Sequence, residues 1–265
     1  MRLSTRASLS LLLAITTLLA FPFSSRSEAS GYRLLKLDGY QLKWGAQQLG
    51  VGATVSYAFA RESLSFTAAS NCGELASIEL LSNEDISIET LAREAAQAFQ
   101  VWERAAGLKF YEVAHAEHAD IIIGAQGQPR GRAFANVSYS EDRQDGVRRI
   151  ERSLICLNPE HRWKIGFDGD TSVYDLRYTF IHEIGHAIGL DHPGPSGQVM
   201  GFRYTEAFKE LQPGDLAGAR RLYGAALGGA GWANLTDRSS SGNAADQVYV
   251  NELLIGEDDG TEVSK

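Results

Sequence analysis

Residues 182–192 read HEIGHAIGLDH, with three imidazoles among eleven side chains. His182 and His186 stand four apart, so on a helix both rings project from one side. A neutral imidazole nitrogen is a good zinc ligand. Gly189, three residues past His186, suits a left-handed conformation that ends a helix and turns the chain back. That turn would deliver His192 as a third nitrogen. Three protein ligands leave one position open, the arrangement of catalytic rather than structural zinc. Glu183 lies about 100° round the helix from His182 and can reach the open side of such a metal. Zinc lowers the pKa of bound water to about 7. A carboxylate beside that water can take its proton and pass it to a leaving amine. These parts describe amide-bond hydrolysis without a covalent intermediate. Asp191 reads as a turn residue or a support for the ligands. Two blander readings stand beside this one: a helix with surface histidines and an incidental glycine, and a zinc-binding fold without catalysis. The presence of Glu183 weighs against the second.

The histidines need a helix to hold them, and residues 175–189 are predicted to form it. Ile88, Leu91, Ala95, Phe99 and Trp102 recur at helical spacing, which predicts an amphipathic helix over 88–106, capped by Ser87 and ended by Gly107. A further helix is expected over 213–223, with Pro213 in its first turn and Gly224 just past its end. Strands are expected at 53–60, 108–113, 120–124, 131–139 (an edge candidate) and 152–157. Strands with one long helix between them, followed by helices, predict an α+β domain. From 225 to 245 the chain is rich in Gly, Ala, Ser and Asn, as a linker would be. Residues 247–255 could add one strand, and the last ten residues are acidic. The chain therefore divides into 1–29, a catalytic domain over 30–224, and a linker with an acidic tail over 225–265.

The 265 residues are 44% hydrophobic and 22% charged, the profile of a globular protein. A formal charge of −8 argues against a nucleic-acid partner and against docking on an anionic membrane. Arg2 and Arg6 precede an uncharged, mostly apolar run over 9–23, about 15 residues and short of the ~20 that span a bilayer. With the small-residue exit Ser27-Glu28-Ala29, this reads as a secretory signal peptide over 1–29; an uncleaved anchor is the alternative. The mature protein is then expected to be secreted or periplasmic, monomeric and without stable membrane association. Cys72 and Cys156 are the only cysteines. Export allows a disulfide between them, while Cys72 could instead be the zinc thiolate of a latent state. His115, His118 and Asp120 read as a polar turn, with a metal site as the alternative. His161 reads as a surface residue, and Arg148, Arg149 and Arg152 as a solvated strand or loop.

HEIGHAIGLDH resembles the zinc signature of the metzincin metalloproteases. Val199-Met200-Gly201 matches the methionine turn that lies beneath the zinc in that group, and its short distance from His192 resembles the matrixins. Weaker likenesses run in order across 31–224: Tyr40-Gln41-Leu42-Lys43-Trp44, Ala96-Phe99-Trp102, Gly107-Leu108-Phe110, Ala119-Asp120-Ile121, and Leu211-Asp215-Gly218-Leu222-Tyr223-Gly224. The resemblance implies a mixed twisted sheet packed on two long helices plus a C-terminal helix. It implies one catalytic zinc on His182, His186 and His192, with Glu183 as general base and Met200 as support. It implies a protein or peptide substrate, added as a strand to the Arg132–Val137 edge, with the side chain after the scissile bond entering a pocket lined by residues that follow Met200. Several features depart from the group. Animal matrixins carry a structural zinc on histidines before and within the fourth strand. Residues 126–137 contain no histidine, and Asn136 stands where one would be expected, so no second zinc is expected. Asn158-Pro159-Glu160 is a poor match to a calcium site, which leaves calcium without support. No propeptide with a cysteine switch fits before the first strand. Serralysins share the signature, but no glycine–aspartate repeats follow it. Phe202 replaces the tyrosine that serralysins and astacins carry two residues after the methionine, and Tyr204 is expected to line the pocket instead.

Overall fold

The computed structural model describes residues 31–195 and 197–226, with the backbone of Tyr249–Val250. The signal peptide expected over 1–29 and most of the 225–265 linker and tail lie outside the described residues. No helix among the described residues is long and apolar enough to cross a membrane.

The main sheet is built from β1 (Tyr40–Lys43), β2 (Ala53–Phe59), β3 (Leu108–Glu112), β4 (Ile121–Gln126), β5 (Ala133–Gln144) and β6 (Val147–Leu157). Helix α1 (Ile88–Ala105) connects β2 to β3, which lie side by side and parallel. Beyond β2 come β4 and β6, parallel as well, and then β5, antiparallel to β6. β1 runs parallel to the Val147–Arg149 stretch of β6. The Tyr249–Val250 pair, here β8, is antiparallel to β5 at Val137 and Ser138. It falls within the 247–255 stretch where a strand was expected.

Ser87 accepts from the Thr90 amide and opens α1 as anticipated. The helix buries Leu91, Ala95, Ala98, Phe99, Trp102 and Ala105, the stripe that its spacing predicts. That stripe meets α2 (Leu176–Ala187) against one face of the sheet, where Trp102 Nε1 donates to the Ile181 carbonyl at 2.9 Å. Helix α3 (Pro213–Tyr223) closes the same core. This is the mixed sheet on two helices, with a third at the end of the domain, that the resemblance implies.

On the other face, Ala58, Ile122, Phe134 and Leu154 surround Cys72 and Cys156. Their sulfurs are bonded at 2.10 Å, so Cys72 does not serve as a zinc thiolate. Asn136 is buried in β5 beside them, and its Oδ1 accepts from the amides of Asn71 and Cys72 at 3.1 and 2.8 Å. It ties the cysteine loop to the sheet.

The strands expected at 131–139 and 152–157 are parts of one long hairpin. Gln144 pairs with Val147, leaving Asp145-Gly146 as a two-residue turn with φ of +51° and +76°. Asp-Gly is the dipeptide such turns favour. The charged residues leading into it obscure the alternation that marks a strand.

Candidate metal centre

Asp175 caps α2, accepting from the Tyr178 amide at 2.8 Å with one oxygen and from the Gly166 amide at 2.5 Å with the other. From Tyr178 to Ala187 every residue of this helix is buried. The carbonyls at its C-terminal end are also satisfied. Trp44 Nε1 donates to Ala187 O at 2.8 Å, and the Tyr223 hydroxyl to Ile188 O at 2.7 Å. The chain then turns at Gly189, whose φ is +98° and where a Cβ would lie 2.2 Å from Leu42 O. Only glycine fits both demands. Leu190–Asp191, here β7, pairs with Arg33–Leu34 and holds the returning segment. Asp191 accepts from the His192 amide at 2.7 Å and pairs with Arg33 at 2.7 Å. It is a turn support, as read from the sequence.

This path brings the three imidazoles together. The Nε2 atom of His182 is 3.0 Å from that of His192 and 3.1 Å from that of His186, and the remaining pair is 3.1 Å apart. His182 Nδ1 lies 2.7 Å from Val199 O, and His186 Nδ1 lies 2.9 Å from Leu190 O. A carbonyl only accepts, so those Nδ1 atoms carry the protons and the Nε2 lone pairs are bare. Burial, then the neighbouring rings, holds His182 and His186 well below the usual histidine range. Burial, with Arg33 and Arg132, takes His192 down to about 4. At neutral pH three uncharged rings thus aim nitrogens at one point. Nitrogens placed tetrahedrally about 2.0–2.1 Å from a zinc ion would be about 3.3 Å apart. The residues fit that ion, and among the described residues they form the one cluster of three metal-capable side chains.

Glu183 is fully buried, and neither carboxylate oxygen has a hydrogen-bond partner. Burial pushes its pKa up to about 8, with the Arg132 charge opposing. A buried carboxylate without a donor calls for a proton, water or cation beside it.

Beneath the helix, a Cβ on Gly185 would lie 2.2 Å from Met200 Sδ, so the helix backbone rests directly on the thioether. The amides of Val199 and Met200 donate to Asp215 at 2.9 and 3.1 Å, and so does that of Gln212 at 2.8 Å. Val199 is the residue whose carbonyl orients His182, so Asp215 acts on the site through this turn. Sequence reasoning placed Asp215 only within the last-helix likeness. Its signal was an acidic residue two after Pro213, where a capping box forms. Arg132, noted only as the start of a strand edge, was missed too. It precedes β5 and shares a small pocket with Tyr178, Thr179, His182, Gly201 and Tyr204.

The remaining candidates lie elsewhere. Asp120 accepts from the Ser56 amide and hydroxyl at 2.7 and 2.8 Å, tying β4 to β2. His115 and His118 meet edge to face beside it. His161 Nε2 is 3.0 Å from Gly131 O. Arg148 is not solvated as expected: its guanidinium stacks on the rings of Tyr40 and Tyr139 at 4.3 and 5.1 Å. Asn158 Oδ1 accepts from the Glu160 amide, so the poor calcium match serves a turn.

The matrixin family model matches residues 77–224. Matrix metalloproteinase-19 of Homo sapiens is 33% identical over 138 residues, covering 48% of this chain and 25% of that protein. Metalloendoproteinase 5-MMP of Arabidopsis thaliana is 26% identical over 180 residues, covering 60% and 47%. Stromelysin-3 of Homo sapiens is 28% identical over 180 residues, covering 64% and 34%. The chain spans between a quarter and half the length of these curated relatives.

Proposed function

The chain belongs to the matrixin family, and from that premise we propose that it is an exported, zinc-dependent endopeptidase. The observation that carries this reading is the convergence of three Nε2 atoms, 3.0–3.1 Å apart, in a site with a buried, unpartnered Glu183. His182, His186 and His192 would hold one zinc, which supplies a Lewis acid that acidifies water and polarises a carbonyl. Glu183 takes the proton from the attacking water and returns it to the leaving amine. Burial raises its affinity for that proton, and the charge of a cation held by the three histidines would oppose that rise and keep the carboxylate free to accept. The Val199 and Leu190 carbonyls keep the two helix imidazoles oriented, and Met200 supports the helix backbone from below. The peptide adds as a strand to the edge that begins at Arg132. Val137 and Ser138 on that edge are paired with β8, so the peptide would use the stretch before them. Support for export is the basic start and short apolar run over residues 1–23.

The test offers a denatured protein mixture to the purified protein and sequences the new termini. Cleavage is expected, lost on chelation and restored by added zinc. Zinc binding without cleavage of any substrate would favour an exported peptide-binding protein. Cleavage that persists at full rate after complete removal of metal would contradict the proposal.

A further inference from the structure

The stretch from 201 to 211 forms neither helix nor strand, yet it carries Gly201 and Tyr204, which stand beside His182. The amides of Gly201, Phe202 and Arg203 donate to the carbonyls of Gln198, Gly194 and Pro195, so its first residues are tied to the turn around Met200. Farther on, Glu206 joins the stretch to the loop before α2. That loop spans 165–173 and is closed by Trp163–Lys164, which runs parallel to Tyr174–Asp175. Glu206 Oε2 accepts from the amides of Gly169 and Asp168 at 2.6 and 3.1 Å. Its Oε1 accepts from the Tyr204 hydroxyl at 2.8 Å and pairs with Lys164 Nζ at 2.6 Å. The Tyr204 oxygen accepts in turn from the amide of Asp175, the cap of α2, at 3.0 Å. Two bonds on each oxygen fill the carboxylate, which has room for about four. Lys164 uses its three donors as well, on Glu206, Asp168 and the Asp170 carbonyl. The Lys164 and Glu206 side chains are 12% and 8% exposed. Removing either partner of a pair so withdrawn from water leaves the other charge uncompensated. The ring of Tyr204 meets those of Tyr178 and Tyr174 edge to face, at 5.1 and 5.3 Å. Tyr178 stands one turn before His182. The ion pair therefore sets where an irregular stretch lies against the helix that carries two of the metal ligands.

We propose that Lys164 and Glu206 are positioning residues for peptide hydrolysis. Through the Tyr204 hydroxyl they fix the stretch after Met200 against α2, so the cleft meets the substrate residue that follows the scissile bond with its wall already in place. The inference rests on the peptidase reading above. The pair acts through the wall and not on the reacting atoms. A wall that holds a side chain equally in the ground state and the transition state acts on KM and leaves kcat alone.

The test uses the purified, zinc-loaded protein and a pair of peptides that differ at one residue. One carries the residue preferred after the cleaved bond, as found by sequencing new termini. The other carries glycine there and puts no side chain on the wall. Lys164→Met and Glu206→Gln should each raise KM about tenfold for the first peptide, with kcat and zinc content unchanged. KM for the glycine peptide should not move. Lys164→Arg, which keeps the charge in a different shape, should lie between wild type and Lys164→Met. The double variant should be no worse than the worse single one, because both changes break the same pair. Hydrogen exchange at the amides of Asp168, Gly169 and Asp175 should be faster in both single variants. Binding is read separately, by fluorescence anisotropy of the same peptides in a Glu183→Ala background. A protein that hydrolyses nothing would thus defeat the peptidase reading and still show whether the pair governs binding of the first peptide. If Lys164→Met fails to fold, Glu206→Gln decides. KM and binding unchanged for both peptides would overturn the proposal. So would an equal rise with the glycine peptide, or a fall in kcat at constant KM, which would place the pair on the fold or on the chemistry.

Discussion

Glu183→Ala is expected to lower peptide hydrolysis by 10²–10⁴-fold, the range for a general acid–base residue, while the protein keeps its zinc and its fold. Zinc is kept because the three converging nitrogens belong to His182, His186 and His192, and Glu183 is not among the clustered ligand atoms. The fold is kept because the carboxylate makes no hydrogen bond that alanine would forfeit. Removing a buried, unpartnered acid also removes the cost of burying it. The metal-free forms should show this as a pH effect. The pKa of Glu183 is raised by burial from an ordinary 4.5 to about 8, so across that window the folded state holds a proton that the unfolded state has released. Its contribution to stability therefore falls as pH rises from about 4.5 to about 8. Wild type should lose stability relative to Glu183→Ala over that interval, measured by denaturant titration at several pH values. Zinc loss in the variant would make Glu183 a ligand or a structural residue. Full activity at equal zinc occupancy would move the base elsewhere.

The second large effect is on metal. His182→Ala, His186→Ala and His192→Ala should each reduce zinc affinity by more than a hundredfold and abolish measurable hydrolysis. Removing a residue that merely orients a ligand already costs about 10–100-fold in such sites, and a ligand costs more. The variants differ in what else they disturb. His182 and His186 are buried and bonded through Nδ1 to Val199 and Leu190, so their loss also leaves buried carbonyls unpaired. His192 is partly exposed, and its ring makes no bond to a main-chain carbonyl among the described residues, so His192→Ala separates metal loss from structural damage most cleanly. Elemental analysis after dialysis against a weak chelator measures the loss. One zinc per chain persisting in all three variants would show that the assignment is wrong.

Much of this site was legible in the chain because its parts are local. The four-residue step from His182 to His186 needs only a helix, and the glycine turn needs only the positive φ found at Gly189. The stripe from Ile88 to Trp102 likewise specified α1 by its period alone. Arg132 and Asp215 were not legible, because each acts through distant partners. Arg132 reaches Tyr174, Tyr204 and His182 only once β5 lies beside α2, and Asp215 holds the turn at Val199 and Met200 across an intervening loop. The hairpin of β5 and β6 was cut short for a different reason. Glu141 to Gln144, before the turn, are exposed and polar, and register shifts between Arg148 and Arg152 break the alternation of the returning strand. Strand β1 is four residues long, too short for a period to appear, and pairing with β6 defines it.

The central claim is that His182, His186 and His192 hold a single catalytic zinc. The most direct test is anomalous X-ray scattering from crystals of the protein purified with its native metal, recorded above and below the zinc absorption edge. One zinc peak is predicted, within bonding distance of the Nε2 atoms of all three histidines. Absence of zinc from that point, or a peak of equal strength at another site such as His115 and His118, would contradict it.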